Sequence, residues 1–213
     1  MQNAVPPGLA PVEERLAERA LAGRREHYAA EVRKLIDAAF RVMQRSGSID
    51  PQVRDIVREA GLSNQAFYRH FASKDALLLT VLADGRRQLV GYLQSRLDAT
   101  DDPAEQVRRF VSGIMAQARD PQAAQATRPF AIDGNRLAAQ FPEEVAASRT
   151  DLLDLVSPAV HALGGDDLDV ELVHDLAMAR MHDALVQRRA PDARDVDQLV
   201  RFCRAGIGAH DGT

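Results

Sequence analysis

The sequence predicts an all-α protein. Apolar residues recur at helical spacing along most of the 213 residues, and prolines, glycines and N-cap residues separate the resulting segments. No segment shows the alternation of apolar and polar residues that is typical of a half-buried strand, and the sequence contains no Asn-Gly hairpin turn. A chain of this length forms one domain, or two small ones that share a core.

The composition is that of a soluble globular protein. Apolar residues make up 46% and charged residues 27% of the chain. Cys203 is the single cysteine, which excludes an internal disulfide and a multi-cysteine zinc site and is typical of a reducing compartment. No apolar run approaches the roughly 20 residues that span a bilayer, and the N-terminus lacks a signal pattern. We therefore expect a cytoplasmic protein with no membrane segment.

The first helix follows an N-terminal arm. Residues 1–24 form this arm, which we expect to be largely disordered or marginally helical because three prolines fall within residues 1–11. From Val32 to Met43 apolar residues recur at the spacing of a helix with one buried stripe. Gly47 ends this helix.

Three more helices follow at short intervals. The Asp50-Pro51 pair supplies an N-cap and a first helical residue for a short helix, which Gly61 terminates. Ser63 caps the third helix. Ser73 caps the fourth, and regularly spaced leucines extend it to about residue 98.

The remainder of the chain continues in the same way. A helix that begins after Asp101-Asp102-Pro103 stops before Pro121. A less regular stretch with one short helix, at residues 135–140, comes next. The last three helices are predicted to span residues 142–163, 166–189 and 193–206.

The charges are distributed unevenly along the chain. Residues 24–74 carry ten lysines and arginines against six acidic residues, whereas residues 75–213 carry fifteen against 22. A cationic block joined to an anionic remainder indicates that one region meets a polyanion such as nucleic acid. The alternative is that both blocks are ordinary solvated faces.

The segment 53–71 has the form of a helix-turn-helix. Gly61 ends one short helix and Ser63 caps the next, so a tight turn joins them. In such a motif the second helix directs its N-terminal residues toward base edges in the major groove. Asn64 and Gln65 follow the Ser63 cap and therefore lie in the first turn of the second helix. Asparagine and glutamine are the side chains that pair with adenine. A helical hairpin within an ordinary bundle is the alternative.

Two runs of residues in this region resemble the signature of the TetR family of bacterial repressors. They are Ile56-Val57-x-x-Ala60-Gly61-Leu62-Ser63 and Phe67-Tyr68-Arg69-His70-Phe71-x-Ser73-Lys74-Asp75-x-Leu77-Leu78. The similarity extends over residues 30–82. It implies a three-helix DNA-binding domain, which we place at residues 25–74, joined by the fourth helix to an effector-binding and dimerisation domain at residues 75–213.

The resemblance also implies roles for individual residues. Contacts to phosphate, for which hydroxyl, imidazole and ammonium groups are suited, are implied for Ser63, Tyr68, His70 and Lys74. The resemblance further implies that the first turn of the second helix contacts bases through Asn64, Gln65 and Ala66. Arg54 lies near the start of the second helix, where members often touch DNA. Many members carry glycine where Gln65 stands, which leaves the base preference open.

Two sets of residues in the C-terminal region could line an effector pocket. One set shares a helix face and comprises His174, Met178 and His182. The other is apolar and comprises Phe110, Ile114, Met115, Phe130 and Phe141. Core or interface packing is the alternative for both sets. We expect no metal site, because residues eight positions apart on a straight helix are too distant to bind one ion.

The sequence lacks the common enzyme signatures. It contains no Gly-x-Ser-x-Gly elbow, no phosphate-binding Gly-x-x-x-x-Gly-Lys loop, no His-Glu-x-x-His and no Cys-x-x-Cys. We therefore do not expect an enzyme.

These observations predict a ligand-responsive transcriptional repressor that binds palindromic operator DNA as a homodimer and needs no cofactor. The effector is expected to be small and largely apolar. The last two helices should form the dimer contact through apolar residues, namely Leu172, Val173, Leu176, Leu185, Val196, Leu199 and Val200. The alternatives are a regulator of the same fold without a small-molecule effector, and a helical ligand-binding protein or enzyme in which the helix-turn-helix is incidental.

Overall fold

The computed structural model describes residues 11–209, which form ten α-helices and no strand. The helices are α1 (Val12–Ser46), α2 (Val53–Ala60), α3 (Asn64–His70), α4 (Lys74–Leu97), α5 (Pro103–Arg119), α6 (Pro121–Ile132), α7 (Gly134–Gln140), α8 (Pro142–Ala162), α9 (Asp167–Val186) and α10 (Ala193–Gly206). The prediction of an all-α fold is confirmed. No helix within these residues combines the length and the apolar character that crossing a membrane requires.

Glycines and serines define the helix boundaries of the N-terminal region as predicted. Gly47 and Gly61 follow α1 and α2 with φ of 69° and 66°, a left-handed conformation that strains other residues. Ser63 and Ser73 precede α3 and α4, and each hydroxyl accepts a hydrogen bond from a backbone N–H in the first turn of its helix. The helix-turn-helix therefore consists of eight residues in α2 and seven in α3.

Apolar side chains form two cores. The N-terminal core is built mainly by α1, α2, α3 and the start of α4, and Phe67 is fully buried in it. The C-terminal core surrounds α5, which packs against α4, α6, α8, α9 and α10 and whose Phe110 is fully buried. α4 belongs to both cores, because Leu77 lies in the first and Leu93 in the second. α4 is therefore a continuous connection between the two halves of the molecule.

α7 contributes to the N-terminal core although it follows α5 and α6 in the chain. Leu137 in α7 and Phe141 directly after it are buried there. In the preceding turn the Asp133 carboxylate accepts a hydrogen bond of 3.3 Å from the backbone N–H of Ile49, in the loop between α1 and α2. Residues 133–141 therefore form a second connection between the two halves.

Two features differ from the sequence prediction. The stretch expected to be irregular contains the regular helix α6, because Asp120 caps it and Pro121 takes its first position, where a missing N–H costs nothing. Pro129 lies inside α6 and does not interrupt it. α2 begins at Val53 with Gln52 as its N-cap, and not at the Asp50-Pro51 pair.

Helical structure extends through most of the predicted N-terminal arm. α1 begins at Val12 and continues without a break past residue 24, and every residue from 11 to 30 is exposed. Residues 1–10 lie outside the described residues, so the expectation of disorder there is untested. The division into domains at residues 24 and 74 remains a prediction.

Candidate nucleic-acid interface and internal cavity

The first turn of α3 presents polar side chains to solvent. Asn64 and Gln65 are exposed, and Tyr68, one turn later, is 60% exposed. The ring edge of Tyr68 packs against Phe67 with 5.1 Å between ring centroids, so the buried phenylalanine supports the exposed tyrosine. These three residues lie where the helix-turn-helix prediction requires accessible side chains.

Two residues expected to contact DNA are buried instead. Ala66 lies on the inner face of α3. The imidazole of His70 is fully buried: its Nε2 donates to the Glu31 carboxylate at 2.7 Å, and its ring lies 4.4 Å from that of Tyr28. The side chain of His70 therefore cannot reach a phosphate in this arrangement. Its position at the end of a short helix made both exposure and burial compatible with the sequence.

Glu31 connects the recognition helix α3 to α1. Besides His70, its carboxylate accepts a hydrogen bond of 2.5 Å from Arg69, and His27 lies 3.4 Å away. These donors, His70 foremost and then Arg69, lower the pKa of Glu31 from 4.5 to about 2. The carboxylate therefore stays charged at neutral pH and holds the C-terminal end of α3. The sequence analysis missed Glu31, because no local pattern indicates a partner 38 residues away.

The remaining candidates for DNA contacts differ in how far their polar groups are already paired within the protein. The hydroxyl of Ser63 accepts from Ala66 N–H at 3.1 Å, which leaves its own proton available to a phosphate. Arg54 is well exposed and 3.5 Å from Asp55. Lys74, the first residue of α4, is paired through Nζ with the Asp50 carboxylate.

A cavity of about 590 Å³ lies between the two halves of the molecule. Its walls are mostly apolar and come from six helices. The lining residues are Phe40 and Gln44 of α1; Val81, Leu82, Gly85, Arg86, Gln88, Leu89 and Tyr92 of α4; Gln117 of α5, Asp120 before α6, and Gln122, Ala123, Ala126, Thr127 and Phe130 of α6; Ser148 of α8; and Met178 and Met181 of α9. A lobe of about 350 Å³ shares Leu82, Arg86, Ser148 and Met178 with it. A molecule bound here would touch the N-terminal half directly through α1.

Three of the eight predicted pocket residues line this space. Phe130 lines the main cavity, His174 the lobe and Met178 both. The other five do not. Phe110, Ile114 and Met115 are packed in the C-terminal core, and Phe141 is packed in the N-terminal core. His182 is exposed and lies 3.0 Å through Nε2 from the carbonyl oxygen of Ala131.

The α4 wall of the cavity was missed by the sequence analysis. Its leucines have the spacing of core residues, and nothing in a sequence shows which parts of a helix face an empty volume. Gly85 borders open space, because a Cβ built on it would meet no atom within 4 Å.

Two polar side chains that line the lobe carry a buried nitrogen atom without a hydrogen bond. Nδ1 of His174 donates to the Asp175 carboxylate at 2.7 Å, and its Nε2 is buried without a hydrogen-bond partner. Nε of Arg86 also lacks a hydrogen bond, although Asp151 is 3.2 Å away. A ligand hydroxyl could donate to Nε2 of His174, which accepts when Nδ1 carries the ring proton, and a ligand oxygen could accept from Nε of Arg86. Among the described residues no group of three or more potential ligands could hold a metal ion.

Comparison with known proteins assigns the N-terminal region to a family. Residues 35–81 match the family model described as bacterial regulatory proteins, TetR family. The HTH-type transcriptional regulator BetI of Brucella anthropi is 34% identical over 80 residues, which cover 38% of this chain and 41% of that protein. The chain thus matches about two fifths of the length of this curated relative.

Solved structures share the fold over most of the chain. A TetR-family regulator from Mesorhizobium loti superposes with a TM-score of 0.62 at 20% identity, covering 85% of this chain and 95% of that one. FadR of Bacillus subtilis, in complex with stearoyl-CoA, superposes with a TM-score of 0.65 at 17% identity, covering 83% and 98%. Residues 35–81 of the chain therefore match the TetR family of bacterial regulatory proteins, and most of the chain shares the all-helical fold of the solved structures.

Proposed function

We propose that this protein is a transcriptional repressor that binds operator DNA through α2 and α3 and releases it when a small molecule binds. The observation that carries the proposal is the exposed first turn of α3, in which Asn64 and Gln65 follow the Ser63 cap within the region that matches the family. In a helix-turn-helix these positions face base edges in the major groove. Tyr68, Ser63, Arg54 and Lys74 are then candidates for contacts to phosphate.

The repressor is proposed to act as a homodimer, because one helix-turn-helix reads too few base pairs for specific binding. Five of the apolar residues expected in the contact are instead buried in the C-terminal core, namely Val173, Leu185, Val196, Leu199 and Val200. The large apolar residues that α9 and α10 leave exposed are Leu168, Leu172, Val186 and Phe202, the last of them 70% exposed. These four are the better candidates for the interface.

Substitution on α9 and α10 tests the dimer. Leu172→Glu and Phe202→Glu place charges on the proposed contact, so the variants should be monomers by light scattering where the wild type is a dimer. Leu16→Glu, on the exposed N-terminal part of α1, is the matched control and should leave the dimer intact. A wild-type monomer at micromolar concentration would refute the proposed assembly.

The effector is proposed to bind in the cavity as a largely apolar molecule with an oxygen acceptor near Arg86. The cavity volume of about 590 Å³ falls in the range of ligand sites. The solved FadR neighbour holds stearoyl-CoA, which makes stearate and stearoyl-CoA suitable first probes. A ligand that touches both α1 and α4 can favour a state in which the recognition helices no longer fit the operator.

A pair of neighbouring variants tests the cavity. Ala126→Phe fills part of it, whereas Gln125→Phe adds the same ring to an exposed position of α6 that does not line it. A probe that raises the melting temperature of the wild type and of Gln125→Phe should not stabilise Ala126→Phe. Equal stabilisation of all three proteins would place the ligand elsewhere, whereas no stabilisation of the wild type by either probe would favour a regulator without a small-molecule effector.

Binding to the promoter of its own gene, compared with a random duplex, tests the main proposal. Asn64→Ala or Gln65→Ala should cost about 1–3 kcal/mol on the operator and much less on random DNA, because a base contact is lost. Gln125→Ala is the matched control and should bind like the wild type. Equal losses on both DNAs would remove Asn64 and Gln65 from base recognition, and no binding by the wild type would refute the function.

A further inference from the structure

We propose that Asp50 sets the DNA affinity of the protein by holding Lys74 away from phosphate, and that Arg136 on α7 loosens this hold. Asp50 is therefore a positioning residue that acts through Lys74. The inference rests on the proposed DNA-binding function, in which Lys74 is a candidate phosphate contact.

The pairing of Asp50 with Lys74 is direct. Lys74 is the first residue of α4, and its Nζ donates to Oδ1 of Asp50 in the loop between α1 and α2. Both side chains are about one-third exposed, so solvent and phosphate can compete for them. Lys74, foremost among its neighbours, lowers the pKa of Asp50, so the carboxylate is charged at neutral pH.

The same carboxylate has a second cation. Nη2 of Arg136 lies 3.6 Å from Oδ2 of Asp50 and also lowers its pKa. Arg136 belongs to α7. Asp133, directly before this helix, accepts the hydrogen bond from the backbone N–H of Ile49. α6, immediately before this turn, lines the cavity through Phe130. One carboxylate thus connects a DNA-facing lysine to the segment that leads from the cavity.

The consequence for DNA binding follows from charge. A paired ammonium must leave its carboxylate before it can neutralise a phosphate, and the carboxylate itself repels the DNA. When Arg136 approaches Asp50, the carboxylate holds Lys74 less strongly and DNA affinity rises. When Arg136 withdraws, Lys74 is held more strongly and affinity falls.

A double-mutant cycle tests the pairing in the full-length protein. Binding of wild type, Lys74→Ala, Asp50→Asn and the double variant to a random duplex is followed by fluorescence anisotropy at several salt concentrations. We expect Lys74→Ala to have little effect in the wild type. In the Asp50→Asn background it should lower affinity about threefold and flatten the log–log salt slope by up to about one unit, as expected for one lost phosphate contact.

A neighbouring carboxylate controls for the change in net charge. Asp75 is exposed and adjacent to Lys74. Asp75→Asn changes the charge by the same amount without releasing Lys74, so Lys74→Ala should have the same small effect in this background as in the wild type. Equal effects of Lys74→Ala in the wild type, Asp75→Asn and Asp50→Asn would overturn the proposal.

Arg136 provides an independent test that leaves Asp50 in place. Arg136→Gln should weaken binding to random DNA by no more than Lys74→Ala does in the wild type, and this small loss should disappear in the Asp50→Asn background. Arg149→Gln, which removes an arginine paired with Glu171 and Asp175 on α9, is the control and should not change binding. An equal loss from Arg136→Gln in both backgrounds would overturn the role of Arg136. Failure of the wild type to bind any DNA at low salt would instead refute the proposed function itself.

Discussion

The two cores of this molecule are built for different tasks. The N-terminal core is closed around side chains such as Phe67, and the void that the structure describes beside Ile49 and Ile56 measures about 10 Å³, no more than one water needs. The C-terminal half borders a cavity of about 590 Å³. A densely packed core fixes the positions of the side chains on its outer surface. A half that borders a cavity has room for a ligand between its helices.

The two halves are nevertheless not independent. α4 takes part in both cores, and Phe141, which directly follows α7, is buried among residues of the DNA-binding half. The main cavity itself has Phe40 of α1 in its wall, stacked on Phe130 of α6 with 6.2 Å between ring centroids. The cavity therefore directly adjoins the N-terminal half.

Truncation of Phe141 should produce the largest effect. Phe141→Ala removes a buried ring that reaches the N-terminal core from the C-terminal half, and it should lower the free energy of unfolding by about 3–5 kcal/mol. Urea denaturation measures this loss. Leu16→Ala, at a position that is 59% exposed, should change stability by no more than about 0.5 kcal/mol. Similar stabilities of the two variants would show that the N-terminal core does not depend on Phe141.

A pair of helical glycines distinguishes the dense packing of α5 from the open cavity. A Cβ on Gly113 would lie 2.5 Å from Cδ2 of the fully buried Leu93, so Gly113→Ala should cost about 1–3 kcal/mol. A Cβ on Gly85 meets nothing within 4 Å, so Gly85→Ala should stabilise α4 by up to about 1 kcal/mol. Urea denaturation of both variants should give shifts of opposite sign, and a shift of the same sign would contradict this account of the cavity.

The protein should lose part of its stability in acid, because Glu31 in the N-terminal half becomes protonated. Its pKa is about 2 in the folded protein and 4.5 as the ordinary value, so its contribution is complete above pH 4.5 and disappears as the pH falls toward 2. Glu31→Gln removes this contribution and should flatten that part of the pH–stability curve. Parallel curves for the variant and the wild type would show that the Glu31 cluster does not stabilise the fold.

The smallest effect concerns Cys203 in the C-terminal core. Burial raises the pKa of its thiol to about 11, so hardly any reactive thiolate is present at neutral pH. Iodoacetamide should modify the native protein much more slowly than the unfolded protein. Rapid labelling of the native form would show that the C-terminal core opens more readily than its burial indicates.

Sequence-based prediction was more accurate in the N-terminal half than in the C-terminal half, because only local signals can be recognised in a sequence. In the N-terminal half Gly47, Gly61, Ser63 and Ser73 marked helix ends correctly, because their signals depend on hydrogen bonds between residues two to five positions apart. In the C-terminal half the apolar pattern identified buried faces but could not separate the wall of a cavity from a filled core. Phe110 and Phe130 have the same side chain, and only packing places the first in the core and the second at the cavity.

The sequence by itself determined the helical fold, the helix-turn-helix and the family resemblance, since helix periodicity, caps and motif spacing are all local properties of the chain. Tertiary structure decided which helix faces meet. It buried His70 against Glu31, 39 residues away, and it paired Lys74 with Asp50, 24 residues away. Such contacts depend on how helices pack together, and the residues between the two partners do not encode that packing in any local pattern.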